Sequence, residues 1–329
     1  MHLPHDVDAV ADQLFAEGAA HGRSLAFVVQ HRGQVVFERY GSQPDTVFGA
    51  GGPVSADTTL ISWSMAKSIT HAAVGICVAD GLLDVAAPAP VPEWQGTPKE
   101  RITLLQLLEM RSGLEFVEDY VDDSVSHCLE MLYGTGKDDV AAYAASLPLI
   151  HEPGTVWNYS SGTTNIVSRI VGRAVGGGRE GMEAFLADRL FGPAGMTSAI
   201  PKFDEAGTFI GSSYVYATAR DFARFGQLYL DDGCVGGERL LPEGWRDHAR
   251  TQVALDDSDE GGLVYGYGRQ WWLWPAFPGS LACHGYEGQY TIVVPDRDLV
   301  VVHLGKSPYD QRRPLADALA RVVDAFAGA

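Results

Sequence analysis

The chain of 329 residues is long enough for one large domain or two intertwined ones around an ample core. Hydrophobic residues make up 46% and charged residues 20%, an ordinary globular balance, while 24 Lys+Arg against 42 Asp+Glu leave a formal charge of −18. Such a surface repels nucleic acid and anionic membranes and excludes both as main partners; its plain meaning is solubility.

In chain order, residues 6–21 (DVDAVADQLFAEGAAH) read as an amphipathic helix with Val7, Val10, Leu14 and Phe15 on one face. The opening residues carry His and Asp where an export signal needs a basic patch and then an apolar stretch, so the expected location is the cytoplasm. His2 and His5 fall in a stretch expected to fray and make a poor metal pair. Residues 25–30 and 34–40 read as strands around the tight turn His31-Arg32-Gly33, and residues 41–57 as a Gly-, Pro- and Ser-rich loop. In ISWSMAKSITHAAVGICVADGLL, Met65, Ile69, Ala72, Ala73, Ile76 and Ala79 follow helical spacing, with Gly81 where a C-cap belongs. Helical patterns return at 104–110, 138–146, 163–174, 182–190 and 219–230. Residues 265–274, 281–283, 289–294 and 299–304 read as strands, the last two joined by the turn Pro295-Asp296-Arg297-Asp298, and 308–327 as a closing helix.

Strands thus occupy both ends and helices the middle. The expected architecture is an α/β (α+β) fold: one antiparallel sheet, formed by residues 1–62 and 205–329 with the terminal helices packed on it. A mainly helical region, 63–204, is inserted, with a cleft between the two. No apolar run is long enough to span a bilayer, 299–304 being among the longest. Cys77, Cys128, Cys234 and Cys283 are scattered, with no CxxC, which fits free thiols in a reducing compartment and no structural zinc.

Three segments carry chemistry. A serine hydroxyl needs a base within reach, and residues i and i+3 share a helix face, so Ser64-Met65-Ala66-Lys67 sets a hydroxyl beside an amine. Burial would help that amine lose its proton, and the N–H of Ser64 at a helix start can donate to a developing oxyanion. Of five lysines (67, 99, 137, 202, 306), only Lys67 has a serine three positions before it. The bland alternative is an ordinary helix start with Ser62 as cap and Lys67 solvated. In the second segment, Pro153 to Gly162 (PGTVWNYSSG), a Pro-Gly turn leads to Tyr159, whose phenol can relay a proton; the alternative is a tyrosine packed in the core. In the third, Cys283-His284-Gly285-Tyr286-Glu287-Gly288, two glycines between strands allow close backbone approach, with a second oxyanion N–H and the His284 imidazole at hand. Its alternative is a surface hairpin.

Together, SxxK at a helix start, PGxxxxYxS downstream and a His-Gly strand segment near the C-terminus resemble the serine β-lactamase and penicillin-recognising superfamily. Class C β-lactamases, family VIII carboxylesterases, D-stereospecific peptidases and 6-aminohexanoate-dimer hydrolases are the nearest in look. TLLQLLEMRSGL at 103–114 and YGYGRQW at 265–271 resemble two further segments of that superfamily, and the likeness runs from about residue 23 to 306. The resemblance implies Ser64 as acylated nucleophile, Lys67 as its base partner and Tyr159 as the proton-shuttling tyrosine, the Lys/Tyr division of the base role staying open. Ser161, His284, Gly285, Tyr286 and Glu287 become candidates for substrate and oxyanion contacts. Tyr286 stands where a glycine is expected and Ser161 where true β-lactamases have asparagine, which argues against efficient β-lactam turnover.

The expected function is therefore a serine hydrolase of small esters or amides. The alternatives are a β-lactamase or D-Ala-directed peptidase, an acyltransferase using the same acyl-enzyme, and a non-catalytic binding module. The acidic run 115–123 (EFVEDYVDD) reads as a solvated loop, with an overhang of the cleft favouring amine-bearing substrates as the alternative. No GxSxG or HExxH is present, and Gly305-Lys306-Ser307 lacks the first P-loop glycine, Val300 standing there; no nucleotide, metal or other cofactor is implied.

Overall fold

The computed structural model describes residues 5–46, 50–120, 125–256 and 263–328; His2 and residues 121–123 of the acidic run lie outside them. Both ends of the chain build one sheet. Its strands are β1 (Arg23–His31), β2 (Gln34–Tyr40), β3 (Ala254–Asp256), β4 (Tyr265–Tyr267), β5 (Trp272–Leu273), β6 (Leu281–Gly285), β7 (Gln289–Val294) and β8 (Leu299–Lys306). They run in the order β3-β4-β5-β6-β7-β8-β1-β2, and neighbours pair antiparallel.

The sequences of β1, β7 and β8 are nearly continuous apolar runs because both faces of the sheet are covered. Alternate residues enter different cores. Phe27, Val29, Ile292, Leu299 and Val301 pack with Val7, Val10 and Leu14 of α1 (His5–Leu14) and with the apolar face of the C-terminal helix Arg312–Asp324. Val28, Val293, Val300 and Val302 belong to the larger core that the remaining helices share.

Those helices are α2 (Ala66–Ala79), α3 (Leu104–Leu108), α4 (His127–Tyr133), α5 (Val140–Ser146), α6 (Ser161–Val175), α7 (Gly178–Phe185), α8 (Ala219–Leu230) and α9 (Trp245–Ala249), with Arg312–Asp324 as α10. α2 is buried without a break from Ala66 to Cys77, its polar residues included. Where α8 crosses the sheet, a Cβ on Gly226 would stand 2.5 Å from Val300 Cγ1, so glycine permits the contact.

Several boundaries differ from the sequence reading. α1 stops at Leu14, short of residue 21, and the following turns carry Gly18 and Gly22 at positive φ. The stretch 265–274 is two short strands, broken where Gln270 takes φ 62°. The pattern at 182–190 begins earlier, as α7, and ends in a π-helical turn at Leu186–Phe191. Pro308 and a 3-10 turn at Tyr309–Gln311 delay α10 to Arg312. α4 and α9 have no counterpart among the expected elements.

The break at Gln270 fastens the sheet to the helices. Its carbonyl accepts from Ser68 Oγ at 2.7 Å, its Oε1 from Thr164 Oγ1 at 2.7 Å, and its Nε2 donates to the Leu108 carbonyl at 3.0 Å. One 2%-exposed residue thus ties the β4–β5 turn to α2 through its backbone and to α3 and α6 through its side chain.

Candidate active site

A 3-10 turn, Trp63–Met65, leads into α2. Trp63 has φ 44°, rare for a bulky residue and a mark of strain held by its surroundings. Ser62 does not cap the helix with its side chain. Its hydroxyl donates to the Trp63 carbonyl at 2.9 Å and accepts from Val215 N at 3.1 Å, tying the turn to a neighbouring strand. This leaves Ser64 half-buried while Lys67 is 2% exposed.

Lys67 Nζ meets three oxygens: Ser64 Oγ at 3.0 Å, Ser161 Oγ at 2.9 Å and the Ser212 carbonyl at 3.0 Å. Ser161 opens α6, which Ser160 caps through the N–H of Thr163. Asn165, one turn into α6, accepts from Ser212 N at 3.2 Å and so sets the third oxygen in place. The amine therefore lies among groups delivered by α2, α6 and the segment before Val215–Ala217.

Tyr159 immediately precedes that cap. Its segment is strapped down by bonds from Gly154 N to the Arg111 carbonyl (2.7 Å), Asn158 N to the Met110 carbonyl (2.8 Å) and Asn158 Nδ2 to the Phe116 carbonyl (3.0 Å). The two segments TLLQLLEMRSGL and PGTVWNY are thus one structural unit. Lys67 Nζ stands 4.8 Å from the Tyr159 ring centroid, and the ring packs on Trp272 and Tyr267 at 5.3 and 5.8 Å. Burial raises the phenol above its ordinary value; the Lys67 ammonium opposes the rise, the Glu118 carboxylate adds to it, and hydrogen bonding with Ser64 and Lys67 pulls it back.

The 284–287 segment divides. A Cβ on Gly285 would fall 2.4 Å from the Ser62 carbonyl, so the backbone of β6 lies directly against the turn that carries Ser64. The Tyr286 ring stands 5.8 Å from Trp63 and 5.0 Å from Tyr120, forming an aromatic wall beside that turn. His284 sits in a box of aromatic rings. It stacks on Trp272 at 5.2 Å, and its Nε2 accepts from Trp274 Nε1 at 2.8 Å, which leaves the ring proton on Nδ1. Burial, and then the charge of Arg312, hold it well below the usual imidazole value. Glu287, at φ 61° in the hairpin turn, binds Lys306 at 2.5 Å.

Sequence reasoning missed Glu118. It lies in the acidic run read as a solvated loop, yet its Oε2 accepts from Ser161 N at 2.7 Å and its Oε1 from Ser161 Oγ at 2.6 Å and Tyr120 Oη at 2.7 Å. Only the chain path, which brings partners 43 residues apart together, shows this. The missed Ser212 contributes only a backbone carbonyl, for which no side-chain signal exists. Among the described residues there is no cluster of His, Cys, Asp or Glu suited to a metal ion, and no helix is long and apolar enough to cross a membrane. All four cysteines are free.

A family model described as Beta-lactamase matches residues 11–325. A 6-aminohexanoate-dimer hydrolase of Paenarthrobacter ureafaciens is 28% identical over 299 residues, covering 86% of this chain and 72% of that protein. Two solved structures share the fold. A family VIII carboxylesterase has a TM-score of 0.71 at 17% identity, over 97% of this chain and 98% of the other. Simvastatin synthase from Aspergillus terreus has a TM-score of 0.73 at 16% identity, over 98% and 99%.

Proposed function

The chain belongs to the beta-lactamase family, a fold of serine hydrolases acting on amides, esters and peptides, and on that premise we propose that it hydrolyses a small ester or amide through an acyl-enzyme on Ser64. The observation that carries the reading is the 3.0 Å contact between Ser64 Oγ and the buried Lys67 Nζ, with the Tyr159 ring against the same amine.

In the first step the Ser64 Oγ–H proton passes to Lys67 Nζ as Oγ bonds the substrate carbonyl carbon, and the C=O π pair moves onto oxygen. The backbone N–H of Ser64 and one from the β6 end near Tyr286 face that oxyanion in this reading; the close approach of Gly285 to Ser62 supports it. Collapse expels the leaving group, which takes a proton from the Lys67/Tyr159 pair. Water then enters by the reverse route and frees the acid. The reading sets the cleft between the sheet portion, 1–62 and 205–329, and the helical portion, 63–204. It assigns Ser64, Lys67 and Tyr159 to the chemistry and Gly285 and Tyr286 to the oxyanion and substrate walls. His284 and Glu287 support the strand and hairpin through Trp274 and Lys306.

The relative named as a 6-aminohexanoate-dimer hydrolase favours amides among the substrates. Ser64→Ala is expected to abolish turnover of a p-nitrophenyl short-chain ester and labelling by a fluorophosphonate probe. Wild-type turnover in that variant overturns the mechanism. Nitrocefin hydrolysis faster than that of the ester would instead assign a β-lactamase. Ester products formed with added alcohol would assign an acyltransferase.

A further inference from the structure

We propose that Glu118 is a positioning residue that sets the direction of the Lys67 lone pair, acting through the hydroxyl of Ser161. The inference rests on the reading that Lys67 takes the Ser64 proton. It follows from counting donors and acceptors around one nitrogen.

The Ser212 carbonyl, 3.0 Å from Nζ, can only accept. A serine hydroxyl has a single proton, and Ser161 gives its own to Glu118 across 2.6 Å, a short bond of the kind a charged acceptor makes. Toward Lys67, at 2.9 Å, Ser161 Oγ is thereby also reduced to an acceptor. A neutral amine has two hydrogens and one lone pair. Both hydrogens are claimed by these two acceptors, and the lone pair is left facing the remaining hydroxyls, Ser64 Oγ at 3.0 Å and the Tyr159 phenol beside it. After proton transfer the same three contacts hold the ammonium, so no group has to turn during the step.

Glu118 is itself fixed for this task. Its second oxygen accepts from Ser161 N at the start of the 15-residue α6, where the helix dipole favours an anion, and Tyr120 Oη binds the first. An amide at position 118 offers Ser161 a donor as well as an acceptor. The Ser161 hydroxyl is then free to turn toward Lys67 and occupy the lone pair that Ser64 needs.

Other titratable groups face this chain of bonds. Tyr159 precedes α6, Tyr120 shares the loop, Cys128 comes from α4 and Tyr267 from β4. Burial pushes all four up, so none of them adds a charge near neutral pH.

The test is steady-state hydrolysis of a p-nitrophenyl ester across pH by the wild type, E118Q, S161A and the double variant, with a thermal melt of each. E118Q is expected to lower kcat by about tenfold or more with little change in KM. It should also move the acid limb of kcat/KM to lower pH, because loss of the carboxylate makes Lys67 easier to deprotonate. S161A should move that limb the same way, and the double variant should lose no more than the worse single one. A limb that stays in place in S161A overturns the proposal whatever E118Q does. So do multiplicative losses in the double variant, or wild-type kcat and pH profile in a folded E118Q. Turnover retained by Ser64→Ala would defeat the underlying reading instead; a dead Ser64→Ala beside an unaffected E118Q defeats only the role of Glu118.

Discussion

Lys67 carries an amine that is only 2% exposed and is held by one carbonyl and two hydroxyls. Burying an amine is tolerable only with such partners, one of which, Ser161, is bonded in turn to the Glu118 carboxylate. Tyr159 is tested separately. Tyr159→Phe keeps the ring packing on Trp272 and Tyr267 and removes only the phenol hydroxyl. It is expected to lower kcat by about 10²- to 10⁴-fold while the melting temperature stays near that of the wild type, measured by ester hydrolysis and calorimetry. A variant with unchanged kcat would take Tyr159 out of the proton path. The Ser64–Lys67 spacing was legible because it is local, set by one turn of helix. Tyr159 was legible because a Pro-Gly turn and a Ser cap frame it. Glu118 was not, since an acidic run reads as solvated until the fold sets one member against a helix N-terminus.

Among elements, the decisive meeting is that of β6 with the turn before α2. Gly285 gives β6 its approach to Ser62, and a Cβ there would stand 2.4 Å from a backbone oxygen that has no freedom to swing aside. Gly285→Ala is expected to cut kcat/KM by more than about tenfold and lower the unfolding free energy by about 1–3 kcal/mol, read from ester kinetics and urea denaturation. Wild-type kinetics in that variant would show that the spacing of strand and turn is not needed. Strands β7 and β8 were legible as short segments rich in Val and Ile, bounded by the turn Pro295-Asp296-Arg297-Asp298. The break within 265–274 was not, because glutamine carries no turn signal and Gln270 adopts φ 62° only for the bonds it gains from Ser68, Thr164 and Leu108. The end of α1 was missed for a related reason: apolar spacing continues past Leu14, but the chain must turn to enter β1 at Arg23.

Across the whole molecule, acid sensitivity is built into the cores. Burial holds His248 down to about 3 and His303 down to about 4, against an ordinary value of 6.5, and lowers His71 and His284 well below it. His71 bonds Tyr229 Oη at 2.7 Å and His248 at 3.0 Å, while His303 lies between Ser24 Oγ and the Gly288 carbonyl. With folded values below the unfolded one, the unfolded chain binds more protons between about pH 3 and 6.5. Stability is therefore complete above that window and lost as pH falls through it. The melting temperature is expected to drop steadily from pH 7 to 5, and less steeply in His303→Gln; a flat profile would mean that these rings are not neutral in the fold. The overall architecture was legible because strand patterns cluster at both ends of the sequence, whereas strand order depends on long-range pairing that no local signal records. That pairing has a consequence for synthesis. Strand β1 lies inside the sheet, beside β8, and Ser24 meets His303 across 279 residues. While a ribosome is still reading the intervening codons, this apolar strand has β2 on one flank and bare amide and carbonyl groups on the other. Until residues 299–306 emerge, that open edge is a template for pairing with other chains, which makes the unfinished chain more prone to aggregate than the folded one.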